Sequence, residues 1–548
     1  MAYEDYFFRP DFQNTALFRE MLQYLVASIQ NMAREERATI PGCELSYESF
    51  LKDGRIPRKG KPWQTVFDAF LQLFQRAVVW QSPHAMINIT PPPNIPSVLG
   101  ASFSALFNPN FGTDESAGLL AATEMYVIRN LADLAGWEPL EAGGIFTFGG
   151  KGTVLYACKT GLRKAFPDSD ETGISAGECL VFTNSKAHPC HREASAWLGI
   201  GKRQVVTLPV TRGGTVCLRE FERQLDKALA EHKKVACIFL NGGTTNEGYI
   251  DPIRQVVEIR NRLTEKYRLD YYPHIHVDAV IGWVWLLFKD YDYEINPLHM
   301  TDAEKNRIRD ICRKSAEIIF ADSFGADFHK TGFCPYVSSV YMVKKSAWLV
   351  PKRGFAGLSH GEYAPFEYSL ELSRSANGPV AAYLAMELLG VEGLQKLIYQ
   401  VFHAGECIRE AIAADRGFIL LNPDTYGFPT LFLAIPPHLL CERPEDILSN
   451  VENYPALEDY NHQFYMYLEQ SYEQGRLNTR ITFSKSYRPY GSSQKLGALK
   501  SFPMSPIADD QQWKECIREI ISQKEPFDRS GVRYTDDRRR AEDLVWRS

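Results

Sequence analysis

His329 and Lys330 stand side by side in ADSFGADFHKTGFCPY, residues 321–336, just beyond the apolar run EIIFADSF, which reads as a buried strand. A lysine ammonium costs several kcal/mol to desolvate unless it is paired or loses its charge. Such a lysine either snorkels to solvent past the strand end or holds its amine against a carbonyl group, its charge removed by imine formation.

Other residues weigh on that choice. Asp278, in HVDAVIGW, ends a second β-rich run, where a carboxylate caps the strand or pairs with a buried cation such as a protonated pyridine nitrogen. In FTFGGKGTVLYACKTGLRKAF, residues 146–166, Gly149, Gly150, Lys151 and Thr153 lead straight into an amphipathic helix. Backbone N–H groups at a helix start make a phosphate cup. The turn is neither a Walker A loop nor a GxGxxG fingerprint. His188, in NSKAHPCHREASAWLGIG, closes a strand and opens a helix, so its imidazole caps that helix or stacks on an aromatic group. LNGGTTNEGYIDP, residues 240–252, brings Gly242, Gly243 and the hydroxyl of Thr244 or Thr245 to a further strand end.

The elements that must position these residues alternate along the middle of the chain. Strand candidates ECLVFTN, RQVVTLPV, KVACIFLNGG, HIHVDAV and EIIFADSF are separated by helical patterns such as LREFERQLDKALAEHKK. Strands without polar alternation, joined through helices, predict an α/β architecture with a mostly parallel sheet covered on both faces. Ligands of such sheets bind beyond the carboxyl ends of the strands. Before this section, residues 1–90 read as an amphipathic helical segment that ends near the proline-rich connector ITPPPNIPS. The large domain spans 91–380, and 381–548 reads as a small α+β domain.

Composition narrows the partners. With 45% hydrophobic and 23% charged residues among 548, the chain is ordinary globular material. A formal charge of −6 argues against nucleic-acid binding. The tail YTDDRRRAEDLVWRS mixes both signs and reads as a solvated segment. Eleven cysteines occur with no C-x-x-C pair, which predicts reduced thiols, no zinc knuckle and a cytoplasmic setting. Neither a signal sequence nor a run of about 18 apolar residues is present, so no membrane association is expected.

In that order, glycine-rich turn, histidine, GGTT…G…D, HVDA and HK, the chain resembles the pyridoxal-phosphate-dependent amino-acid decarboxylases of the glutamate/aromatic group (group II). WQSPHAMIN, NPN…ESAG…EM and WLGIG add to the likeness, which covers roughly residues 80–390. The long span from Asp278 to Lys330, with KNRIRDICRKSAEIIFADS, looks most like the bacterial tyrosine-decarboxylase branch. The resemblance implies fold type I, the aspartate aminotransferase-like architecture with a seven-stranded large-domain sheet. It implies pyridoxal 5'-phosphate as cofactor, no metal, and a homodimer with shared active sites. Lys330 would form the internal aldimine, and His329, Gly149, Gly150 and Lys151 would hold the phosphate. Asp278 would pair with the pyridine nitrogen, and His188 would stack on the ring beside Thr245. Ser323 would join the cofactor contacts. The reaction implied is loss of CO₂ from an L-amino acid through a quinonoid intermediate, giving a primary amine. Tyr336, six residues after Lys330, or Tyr363, in GLSHGEYAPFEY, would return the proton.

Three departures from the family pattern concern the phosphate turn and the substrate. Lys151 and Gly152 stand where many relatives carry a hydroxyl and an acidic residue, GADFHK replaces DPHK, and ITPPPNIPS differs in a pocket-forming segment. Aromatic, acidic and branched aliphatic substrates all stay open. So do a carbon–carbon lyase like the sphingosine-phosphate lyases, an oxidative deaminase giving an aldehyde, and a catalytically silent binding paralogue. SRSANGP, with Arg374, reads as a domain-boundary turn or as a contact across a dimer interface.

Overall fold

The computed structural model describes residues 3–33, 36–42, 55–175, 177–349, 363–489, 495–531 and 533. The charged tail from residue 534, and the residues just before Tyr363, lie outside them.

Seven strands form the large sheet: β1 (Gly143–Thr147), β2 (Cys179–Asn184), β3 (Val205–Leu208), β4 (Lys234–Asn241), β5 (His274–Asp278), β6 (Ser323–Asp327) and β7 (Ser339–Val343). Their order is β1-β7-β6-β5-β4-β2-β3. All run parallel except β7, which is antiparallel to both of its neighbours. The parallel steps are bridged by helices, among them Cys190–Trp197, Leu218–Ala230, Ile253–Lys266 and Asp302–Ser315. Alternate residues feed two apolar layers. Phe182, Ile238 and Leu240 face one layer, while Val181, Cys237 and Phe239 face the other. Covering both faces is why these strands read as continuous apolar runs.

The run EIIFADSF is not one strand. Ala316–Phe320 is a 3₁₀ turn, and β6 begins only at Ser323. Within EIIF only Ile318 is buried, while Ile319 and Phe320 stay partly exposed, so this stretch ends a helix rather than entering the sheet. Strands β1 and β7, which close one edge of the sheet, were not among the sequence candidates. Their GGIFT and SVYMV are only five residues each, and GGIFT opens on two glycines, which are poor strand formers.

A second, antiparallel sheet, in the order β10-β11-β9-β8, contains β8 (Phe418–Leu420), β9 (Thr430–Ala434), β10 (Thr482–Tyr487) and β11 (Leu496–Ser501). The helix Asn377–Ala414 joins the two units and is kinked at Gly390. Ala381 and Ala385 before the kink and Phe402 after it pack into the large core, and the last turns pack Ala404, Ile408 and Ile412 into the small one. Among the described residues no helix is long and apolar enough to cross a membrane.

Candidate active site

The carboxyl ends of β1, β2, β4, β5 and β6 converge on a cavity of about 300 Å³. Each brings one of the chemistry-bearing segments. After β1, Gly149 adopts φ +120°, a conformation that side chains rarely tolerate, and Gly150 starts the helix Gly150–Ala165. A Cβ on Gly150 would stand 2.9 Å from Asp327 Oδ2, so the bare backbone lets this turn lie against β6.

Lys330 lies on the short helical turn Phe328–Thr331 after β6 and borders the cavity. Its Nζ is 2.9 Å from Oδ2 of the fully buried Asp327. Asp327 Oδ1 accepts a hydrogen bond of 2.5 Å from Ser339. Burial works against the Lys330 ammonium, but the Asp327 charge outweighs it and raises the lysine pKa. The chain itself therefore supplies the counter-charge that makes a lysine tolerable there. His329 Nδ1 accepts from the Ser338 amide at 3.2 Å, which places the proton of the neutral ring on Nε2. Burial lowers its pKa.

Asp278 ends β5 and borders the same cavity. Its Oδ2 is 3.0 Å from His191 Nε2, and His191 Nδ1 lies 2.8 Å from the Thr183 hydroxyl. His191 is wholly buried and stacked 4.5 Å from Phe239. Burial alone would raise the Asp278 pKa, but the His191 hydrogen bond and the charges around it hold it well below the usual carboxylate range. Its Oδ1 is buried without a hydrogen-bond partner. An ionised oxygen left unpaired is costly and fits a cationic ring nitrogen that completes it.

His188 borders the cavity, with Nδ1 accepting from the Cys190 amide at 3.2 Å; burial lowers its pKa, so it is neutral near pH 7. The Thr244 hydroxyl is spent within its own turn on Glu247 and the Tyr249 amide, while Thr245 borders the cavity beside it. Lys151 is at the rim, half-exposed, and its ammonium is paired with Glu193. Tyr336 also borders the cavity; its hydroxyl is 3.3 Å from Thr90 Oγ1 and its ring centroid 4.0 Å from that of His329.

Two expected residues are not brought there. Ser323 begins β6 and binds His274 Nε2 at 2.7 Å and His276 Nδ1 at 2.8 Å. Four residues of strand, roughly 13 Å, separate it from the carboxyl end of β6. Tyr363 is buried with its hydroxyl on Glu124 and Arg374 rather than lining the cavity. Arg374 points inward as well. It donates to Glu124 Oε1 at 2.5 Å and Oε2 at 3.0 Å, and to the Phe111 and Phe146 carbonyls. Arg374→Met, which leaves Glu124 buried without its counter-charge, is expected to cost about 3–5 kcal/mol, read as a lower urea midpoint; an unchanged midpoint would show the pair to be structurally idle.

Sequence reading missed His191 as the partner of Asp278. The signal was its position three residues after His188, on the first turn of the next helix. These residues fit pyridoxal phosphate: a lysine at a strand end, a buried unpaired carboxylate oxygen opposite it, and an unobstructed glycine turn at a helix start.

Comparison with known proteins agrees. Residues 46–429 match the pyridoxal-dependent decarboxylase conserved domain. Acidic amino acid decarboxylase GADL1 of Xenopus tropicalis is 24% identical over 397 residues, 71% of each chain. Matches to further curated relatives cover 56 to 62% of their length. Among solved structures, mouse CSAD in apo form superposes with a TM-score of 0.76 at 18% identity, over 92% of this chain and 98% of that one. Oryza sativa TDC with PLP and tryptamine gives 0.75 at 13%, over 94% and 99%. The chain belongs to the family of pyridoxal-dependent decarboxylases, enzymes whose cofactor is pyridoxal phosphate.

Proposed function

We propose that this protein removes the α-carboxylate of an L-amino acid as CO₂ and releases the corresponding primary amine. The observation that carries this reading is the pair Asp278–His191, which keeps an unpaired carboxylate oxygen ionised at the cavity bordered by Lys330. Pyridoxal phosphate, when bound, supplies an electron-poor ring that accepts the electron pair of the bond broken at an attached amino acid. Asp278 holds a proton on the ring nitrogen by remaining negative, and His191, fixed by Thr183, keeps it so. Lys330 provides the amine that carries the cofactor, and Asp327 steadies its ammonium whenever that amine is free. The glycine turn at 149–150 offers backbone N–H groups to the phosphate. His188, whose pKa is lowered by desolvation at the cavity, presents a flat ring without adding charge. Tyr336, at the cavity, is the proton donor to Cα in this reading.

The long Asp278–Lys330 span and the position of Tyr336 support an affinity with the bacterial tyrosine-decarboxylase branch. A homodimer with shared sites and a cytoplasmic setting belong to the same proposal; the ten cysteines among the described residues, all free, support the second.

Incubating the protein and cofactor with amino-acid mixtures should yield an amine lighter than its parent by CO₂. An aldehyde with ammonia would replace this reading by the oxidative one. Tyr336→Phe should lower turnover roughly 100-fold or more, and Tyr363→Phe far less; the reverse ranking would move the donor to Tyr363.

A further inference from the structure

The cavity of Lys330 shares His188 and Thr245 with a second one of about 570 Å³. Two distant parts of the chain line it with cations. Lys186 and Arg192 follow β2, while Arg488, Lys495 and Lys500 lie on or beside β10 and β11. Among the described residues no aspartate or glutamate lines it. Arg192, Arg488 and Lys495 are exposed at its rim, and Lys186 and Lys500 lie deeper.

The two deep lysines differ. Lys186 Nζ is 2.6 Å from Glu247 Oε1 and 3.0 Å from the Arg488 carbonyl, so its charge is answered within the chain. Lys500 Nζ reaches the neutral amide oxygen of Asn246 at 3.3 Å and sits 4.8 Å from the Phe502 ring centroid. Burial pushes its pKa down to about 8, against which, among the described residues, Glu247, already bound to Lys186, provides the carboxylate support. A cation withdrawn from water without its own counter-ion is destabilising, and an anionic ligand relieves that cost through a charge-assisted hydrogen bond. An aromatic or aliphatic side chain in this cavity would leave Lys500 as it is.

We propose that this cavity is the side-chain subsite of the decarboxylation site and that the substrate is an acidic L-amino acid, whose second acid group pairs with Lys500. The three rim cations steer that substrate inward. The inference rests on the decarboxylation proposed above, and carboxylate and sulfinate side chains share the chemistry it requires.

The test compares kcat/KM of the holoenzyme for L-aspartate, L-glutamate and L-cysteine sulfinate with L-leucine and L-tyrosine. One of the acids should be preferred, and its identity separates carboxylate from sulfinate. In Lys500→Gln the acidic-to-neutral ratio should fall roughly 10- to 100-fold, mainly through KM, and Lys500→Arg should restore part of it. A neutral amino acid as best substrate overturns the inference. So does a Lys500→Gln effect equal on acidic and neutral substrates, which would assign Lys500 to the α-carboxylate or to folding. If no amino acid loses CO₂, the decarboxylation reading fails and binding still decides this one. The cofactor absorption band should then respond to glutarate at lower concentration than to valerate, a preference lost in Lys500→Gln; equal responses overturn it.

Discussion

Lys330→Ala is expected to abolish turnover, by roughly 10⁴-fold or more, and borohydride should no longer fix cofactor to the chain. The argument starts from placement. Lys330 is the amine at the carboxyl end of β6, bordering the cavity, and Asp278 at the end of β5 borders the same space. The rim lysine, Lys151, is already engaged by Glu193. Peptide mass spectrometry after borohydride treatment should place the cofactor mass on Lys330 in the wild type and nowhere in the variant. Cofactor fixed elsewhere would reject the assignment. The variant also leaves Asp327 buried with Ser339 as its remaining hydrogen-bond partner, so folding should be checked by its unfolding midpoint.

Asp278→Asn should retain cofactor yet lose turnover by roughly 10³-fold, a loss of about 4 kcal/mol in transition-state stabilisation. The amide keeps the size of the carboxylate and removes its charge, so the two roles of this residue separate. If Asp278 merely ties β5 to His191, the asparagine can still accept the His191 hydrogen bond and activity should survive. If it holds the proton on the ring nitrogen, activity collapses with the cofactor still bound. Turnover per bound cofactor is the deciding measurement, and a near-normal value would reject the ring-nitrogen role. The low pKa of Asp278 adds a sign. The carboxylate stays ionised far below neutrality, so protonation of Asp278 should not set the acid limb of activity near neutral pH.

Asp327 changes the account of Lys330. The sequence suggested that the lysine is tolerated because imine formation removes its charge. The structure shows an ammonium paired with a buried carboxylate three residues earlier, on the last residue of β6. The DFHK spacing carried that information, since the turn after β6 brings residues three apart onto one side. What DFHK could not disclose is that Asp327 is anchored by Ser339 on the antiparallel strand β7, which was itself missed.

The order of strand-end motifs was legible because it is local. A glycine turn before a helix, an aspartate closing β5 and a lysine after β6 each follow from residue type and neighbours, and the parallel-sheet rule collects them at one edge. Lys330, Asp278 and His188 were placed together by that reasoning, Thr245 and Tyr336 were singled out by the family resemblance, and all border one cavity. Side-chain direction was not legible. Ser323 and Asp327 share β6, yet four residues of extended chain separate its two ends. His188 and His191 are three residues apart, yet one borders the cavity and the other is buried behind Asp278. Tyr363 was drawn away by Arg374 and Glu124, an ion pair formed over a separation of 250 residues. The cationic cavity is the furthest from local pattern, since Lys186 meets Arg488 across 302 residues. Sequence alone determined which chemistry the strand ends can perform, because hydrophobic period and turn chemistry act over a few residues. Tertiary structure decided which side chains face that chemistry and what charge surrounds it, because those follow from packing two sheets against one shared helix.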